Sequence, residues 1–278
     1  MMVTLANLIT SVGSVRLRLK DMDVTEEVLK FDYERVRGLR KRVGSITKPI
    51  GVYSVKVTAE LTQDVVNAIM RTLCTESSNG VYAASSLNSL SSTIAYEIQT
   101  LEGNIYKLDN GYISSVQLSV KADAIPTITI ESIHTSLTTV SSVTNLAVQN
   151  FVSPKDVTVY YYSGSSFTSV PTVSFELRID QALERIDIVD TTNKFKFYSE
   201  ALMISVSLLC EYNSTLHNSY KSGSSIDLKL SKTTDPTFNI TLYGMFVEKE
   251  DIFKKWNLME LSFVNGYVST KEPIVYSM

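Results

Sequence analysis

The side chains best suited to chemistry in this sequence are His134, His217, Cys74 and Cys210. A catalytic histidine needs a nucleophile or a carboxylate held within hydrogen-bond reach. Neither histidine has a recognisable motif beside it, and both read as surface residues. The two cysteines lie far apart, without the close spacing of a zinc site or a disulfide framework. They read as half-buried thiols. The sequence contains no G-x-S-x-G elbow, no G-x-x-x-x-G-K-[ST] loop and no G-x-G-x-x-G turn. Carboxylates are plentiful, but nothing singles out two of them as a glycosidase pair. The only tryptophan, Trp256, alternates with Leu258 and reads as a core residue, not as a sugar-stacking platform. These residues predict a protein that is not an enzyme and carries no metal and no cofactor.

One charged segment stands out. Residues 34–48 hold Arg35, Arg37, Arg40, Lys41, Arg42 and Lys48. Such a run can bind phosphate, form a solvated hairpin, or contact a neighbouring subunit. The corresponding stretch of the second half is acidic, with Asp180, Glu184, Asp187 and Asp190. Opposite charge on two arms favours one register between neighbours and opposes others. These ten residues are the candidate inter-ring or inter-subunit contacts.

The elements that would carry the arms occur twice. Val55, Val57, Ala59 and Leu61 form one face of a predicted strand, with Lys56, Thr58 and Glu60 on the other. The period then changes: Thr62 caps a helix in which Val65, Ile69 and Leu73 share a face. Further strands are expected over 94–101, 104–108, 113–120 and 127–133. Turn signals fall at Glu102-Gly103-Asn104 and Asp109-Asn110-Gly111. The second half has the same order. Val55 and Val57 match Ile204 and Val206; Gly111, Ile128 and Ile130 match Gly244, Leu261 and Phe263. The two offsets differ by about the length of the Ser-rich stretch 77–92, which reads as a surface loop inserted in the first copy. Side-chain parity survives the insertion, as it must if the same faces are buried. A short helix is expected over 214–220, stopping before Gly223.

The totals set the bounds. The chain has 278 residues, 44% hydrophobic and 20% charged, and a net charge of −3. That length accommodates two domains of roughly 130 residues each. The charge gives no global pull toward nucleic acid or anionic membrane. No apolar run reaches about 18 residues, so no membrane insertion is expected. Met1 to Val12 lacks the pattern of a signal peptide. The sequons at Asn213 and Asn239 read as chance matches. The expected organisation is a first domain at 1–134 with an N-terminal arm able to dock on a neighbour. A Ser/Thr-rich linker follows at 135–154, then a second domain at 155–278.

On these elements each half resembles the tail-tube protein of long-tailed bacteriophages and related archaeal viruses, a fold shared with the tube of type VI secretion systems. The resemblance is carried by the helix Gln63 to Leu73, the long loop Arg35 to Lys48 and the last hairpin Tyr112 to Ile133. Their counterparts are Ser214 to Tyr220, Asp180 to Lys196 and Met245 to Val264. It implies a mainly β fold: two tandem β-sandwich or barrel domains, each with one flanking α-helix. It also implies homotrimeric rings of pseudo-sixfold symmetry, stacked into a tube. Other viral tail proteins would be partners, and viral DNA would pass through the lumen without specific binding. The location implied is the virion tail, after synthesis in the host cytoplasm. Other readings are a distal-tail or tail-terminator ring, a β-rich adhesin, and a DNA sliding clamp. A clamp needs two basic helices per domain, and the helix of the first copy offers only Arg71.

Overall fold

The computed structural model describes residues 3–27, 52–78, 80–84, 93–162, 164–187, 195–234, 237–265 and 272–278. Within them the protein is mainly β, with seventeen strands in one large antiparallel sheet and two α-helices. The earlier strands are β1 (Val3–Thr10), β2 (Gly13–Arg16), β3 (Leu19–Glu27), β4 (Val52–Glu60), β5 (Cys74–Ser78), β6 (Val81–Ala84), β7 (Ile94–Thr100), β8 (Ile105–Lys121) and β9 (Thr127–Thr139). Helix α1 (Gln63–Leu73) lies between β4 and β5. The later strands are β10 (Val157–Tyr162), β11 (Phe167–Val170), β12 (Thr172–Asp187), β13 (Phe195–Glu211), β14 (Ile226–Lys232), β15 (Phe238–Phe253), β16 (Leu258–Asn265) and β17 (Ile274–Ser277). Helix α2 (Ser214–Ser222) lies between β13 and β14.

The strand pairing of the earlier residues returns in the later ones. The path β2–β1–β7–β8–β9–β4–β3 is matched by β11–β10–β14–β15–β16–β13–β12. The registers agree as well. Val57 faces Met22 and Ile130, and Val206 faces Leu177 and Phe263. All six are buried, because alternate residues of each strand turn to one hydrophobic core. The two sets of strands meet where β12 pairs with β8, from Ser174↔Lys121 to Asp180↔Ser115. A second seam joins β17 to β6, with Tyr276 opposite Tyr82.

Both helices start and stop on local chemistry. Thr62 Oγ1 accepts from the Val65 amide at 3.3 Å to cap α1. Asn213 Oδ1 accepts from the Thr215 and Leu216 amides at 3.0 and 3.1 Å to cap α2. Gly223, with φ of 64°, ends α2 in the left-handed conformation that glycine adopts without steric cost. Helix α1 buries a broad apolar face, whereas α2 buries only Leu216. No helix is long and apolar enough to cross a membrane among the described residues.

Several sequence expectations change. Val3–Thr10 is no free arm: it pairs with β2 and β7 and buries Ala6, Asn7 and Leu8. The stretch expected as a loop from residue 77 begins as the β5–β6 hairpin, which pairs with β17 through its second strand. The expected linker 135–154 continues β9 as far as Thr139 and is then tied down. The Val152 amide donates to the Leu61 carbonyl at 2.7 Å, and the Thr144 amide donates to Glu97 at 3.0 Å. Asp109-Asn110-Gly111 does not end a strand: β8 runs through it. Asn110 takes φ of 52°, which asparagine tolerates, and the β7 register shifts there. Gly244 supplies the left-handed residue at the matching bend of β15, with φ of 65°.

Gly111 has a separate reason to be glycine. A Cβ there would sit on the ring of His134, which faces it across β8–β9. Gly111→Ala is therefore expected to destabilise the fold by about 1–3 kcal/mol, the range for overpacking a filled interior. The urea midpoint measures it, and an unchanged midpoint would show that the ring moves aside freely.

Candidate functional site

The reactive side chains do not converge. His134 is buried (0% exposed), not on the surface, because it points inward from β9 between Ser132 and Tyr96. Its Nε2 lies 3.0 Å from Ser132 Oγ. Burial lowers its pKa to about 4, so the ring is neutral at pH 7. His217 is half-buried, with Nδ1 2.8 and 2.9 Å from the two oxygens of Glu250, whose side chain is only 5% exposed. That pair ties α2 to β15. Cys74 and Cys210 are both buried outright, and burial pushes each thiol up to about 12, leaving the thiols unreactive. Trp256 is 64% exposed rather than in the core. It lies in the turn between β15 and β16, which breaks the alternation that linked it to Leu258. No group of His, Cys, Asp and Glu that could hold a metal occurs among the described residues. Two shallow hollows of about 170 and 230 Å³ contain no histidine or cysteine in their linings.

The distinctive surface is a sheet face. Across β3–β4–β9–β8–β12–β13–β16–β15 the residues pointing away from the core are mainly Ser, Thr and charged. Thr58 and Thr129 hydroxyls meet at 3.1 Å, and Gln117 donates to Glu176 across the seam. Three cations on this face are each held by a carboxylate: Lys56 by Glu131 at 2.8 Å, Arg178 by Asp180 at 2.8 Å and Lys249 by Asp251 at 2.7 Å. The Asp180 hydrogen bond raises the Arg178 pKa further. Asp21, Asp23 and Glu260 add negative charge that no ion pair within the described residues offsets.

This sheet has two ends. Strand β3 pairs on one side only, with β4. The last part of β15, Lys249 to Phe253, pairs on one side only, with β16. Among the described residues neither edge is covered. Unpaired N–H and C=O groups in such edges template the addition of another strand.

The contact residues expected from sequence fall mostly elsewhere. Arg35, Arg37, Arg40, Lys41, Arg42, Lys48 and Asp190 lie outside the described residues. Asp180, Glu184 and Asp187 sit in β12, so the acidic segment is a strand and not a loop as far as Asp187↔Phe195. Asp180 lies on the polar face beside the β8·β12 seam. Sequence reasoning missed the two edges, although the alternation of Asp21, Asp23 and Thr25 with Met22 and Val24 was the signal for one of them.

The neutral burial of His134 makes stability depend on pH. The unfolded chain protonates this ring near 6.5, whereas the fold resists protonation down to about 4. The stabilisation is complete above the unfolded value and declines as pH falls between the two values. The loss is roughly 3 kcal/mol. Urea midpoints measured from pH 7 to pH 4 are expected to fall, and His134→Phe should remove that part of the slope. An equal slope in the variant would assign it to carboxylates instead.

In comparisons with known proteins, the chain matches no family model, and no curated protein matches its sequence.

Proposed function

We propose that this protein is a structural subunit that closes into rings, and that the rings stack into the tube of a viral tail through which DNA leaves. One observation carries the reading. Two sets of strands with the same pairing order are joined edge to edge inside one chain, and among the described residues the resulting sheet still has an open edge at each end. A unit that joins a copy of itself in this head-to-tail way repeats, and closes a ring if its rotation allows.

On this reading the chain holds two fused tail-tube-like units, the strands up to Thr139 and those from Val157 onward, joined by residues 140–156. Three chains then supply six units, and the polar, acid-bearing sheet face lines the lumen. An excess of carboxylates, with three of the cations on this face bound up in ion pairs, suits a channel that conducts DNA without holding it. A sliding clamp fits less well: α1 brings only Arg71, whose guanidinium stacks on Tyr82 at 5.0 Å instead of facing outward. A non-polymerising tail ring, such as a terminator, uses the same lateral joint and differs in stacking. One observation favours an adhesin instead, the exposed Phe253 and Trp256 at the β15–β16 turn.

Negative-stain electron microscopy of the concentrated protein tests the proposal. The expected outcome is hollow tubes or stacked rings, with a particle mass in multiples of three chains. Single closed rings at every concentration would favour the terminator reading. A species that stays monomeric at every concentration would overturn the proposal.

A further inference from the structure

The internal seam and the two open edges are built on matching ladders. Over residues 21–26 and 176–181 the β3–β4 and β12–β13 ladders correspond residue for residue: Met22↔Val57 matches Leu177↔Val206, and Val24↔Val55 matches Ile179↔Ile204. Residues 21–25 therefore occupy the positions of 176–180. On the other side, Gln117↔Thr129 matches Lys249↔Ser262, and Ser119↔Thr127 matches Asp251↔Glu260. Residues 249–251 therefore occupy the positions of 117–119. Within the chain these segments are partners, as Arg178↔Gln117, Leu177↔Leu118 and Glu176↔Ser119.

Burial differs between the filled position and the open ones in the direction a missing strand requires. Val120 is 8% exposed beneath Phe175, its partner on β12. The matching residue of β15, Ile252, is 38% exposed. Val24 is half-buried where Ile179 is fully buried. Each open edge thus exposes apolar surface that its counterpart covers with a strand.

We infer that the β3 edge of one chain pairs antiparallel with the β15 edge of a second copy, in the register Asp23↔Lys249, Met22↔Glu250 and Asp21↔Asp251. The inference rests on the ring-forming reading and adds the strands and the register. The occupant is a second copy because the same two edge types already pair inside the chain. Asp23 against Lys249 is a favourable opposite pair, and Asp21 against Asp251 opposes it.

A cysteine pair tests the register. The native thiols are buried and unreactive, so new cysteines report without background. Asp23→Cys with Lys249→Cys in one chain is expected to give disulfide-linked dimers and trimers under oxidation, on a non-reducing gel. Glu26→Cys with Lys249→Cys lies three residues out of register, beyond the reach of a disulfide, and is expected to give none. A charge swap gives an independent measure, since both side chains are exposed and tolerate change. Lys249→Asp should raise the concentration needed for assembly roughly threefold to tenfold. Adding Asp23→Lys should return it to within about twofold of the original. Wild-type rings or tubes without the 23–249 crosslink, or a swap that fails to restore assembly, would overturn this register and leave the ring reading intact. A wild-type chain that never assembles overturns both.

Discussion

The ladder between β8 and β12 is the constraint on which the rest of this molecule depends. It makes one sheet out of two sets of strands, and its side chains alternate between core and polar face. Phe175, Leu177 and Ile179 interleave with Val116, Leu118 and Val120, all buried. Burying a side chain of this kind contributes about 1.5–3 kcal/mol, so slipping the seam by one residue would be costly. The seam also explains the shape of β8. That strand must serve β7 and β9 in its first part, then β9 and β12 in its second. The change of neighbour occurs past the left-handed Asn110 and the glycine under His134. Strand β15 is one residue shorter, 16 against 17, and has a matching bend at Gly244. Among the described residues its last part lacks the second neighbour that the equivalent part of β8 has.

Much of the fold was legible because it follows from local periodicity. The alternation of Val55, Val57 and Ala59 and the caps at Thr62 and Gly223 depend on neighbours in sequence. The expected match of Gly111 to Gly244, in contrast, is off by one: Gly111 pairs with Ile94 and Met245 with Ile226, so Gly244 takes the place of Asn110. Parity across the insertion pointed to a shared burial pattern, and Val57 and Val206 take equivalent positions. What periodicity does not contain is which edge meets which. The β8·β12 and β6·β17 seams join residues far apart in the chain, and no local pattern names a distant partner.

The misread residues fail for specific reasons. Trp256 shares the parity of Leu258 only if the strand continues, and a turn interrupts it. His134 followed a strand and preceded a Ser/Thr-rich stretch, so its burial depended on β9 continuing to Thr139. The serine and threonine residues after it looked like linker, yet Thr144 hydrogen-bonds Glu97. Burial raises the Glu97 pKa, but these bonds and one from Asn7 outweigh it and hold the carboxyl below its usual range. Asp109-Asn110-Gly111 carries the signature of a hairpin turn and is used as a bend within one strand. The same left-handed residue serves either purpose, and only the pairing partners distinguish them.

The two kinds of joint are unequal in a way that bears on assembly. The internal one has its ladder, the β6·β17 seam with Tyr82 against Tyr276, and a covalent connection through residues 140–156. The proposed joint between chains would have only its ladder and would gather its partner from solution. A covalent tether raises the effective concentration of the second unit to about the millimolar range, so the internal seam forms first and stays formed. In the proposed ring, closing six units from three chains would need three bimolecular joints instead of six. The charges on β3 then act in two directions. They keep an unpartnered edge from adding arbitrary strands. In the inferred register, Asp21 opposite Asp251 would also keep each joint weak enough to open if it forms out of place. On the proposed reading closure would select the ring, because only a closed ring satisfies every edge at once.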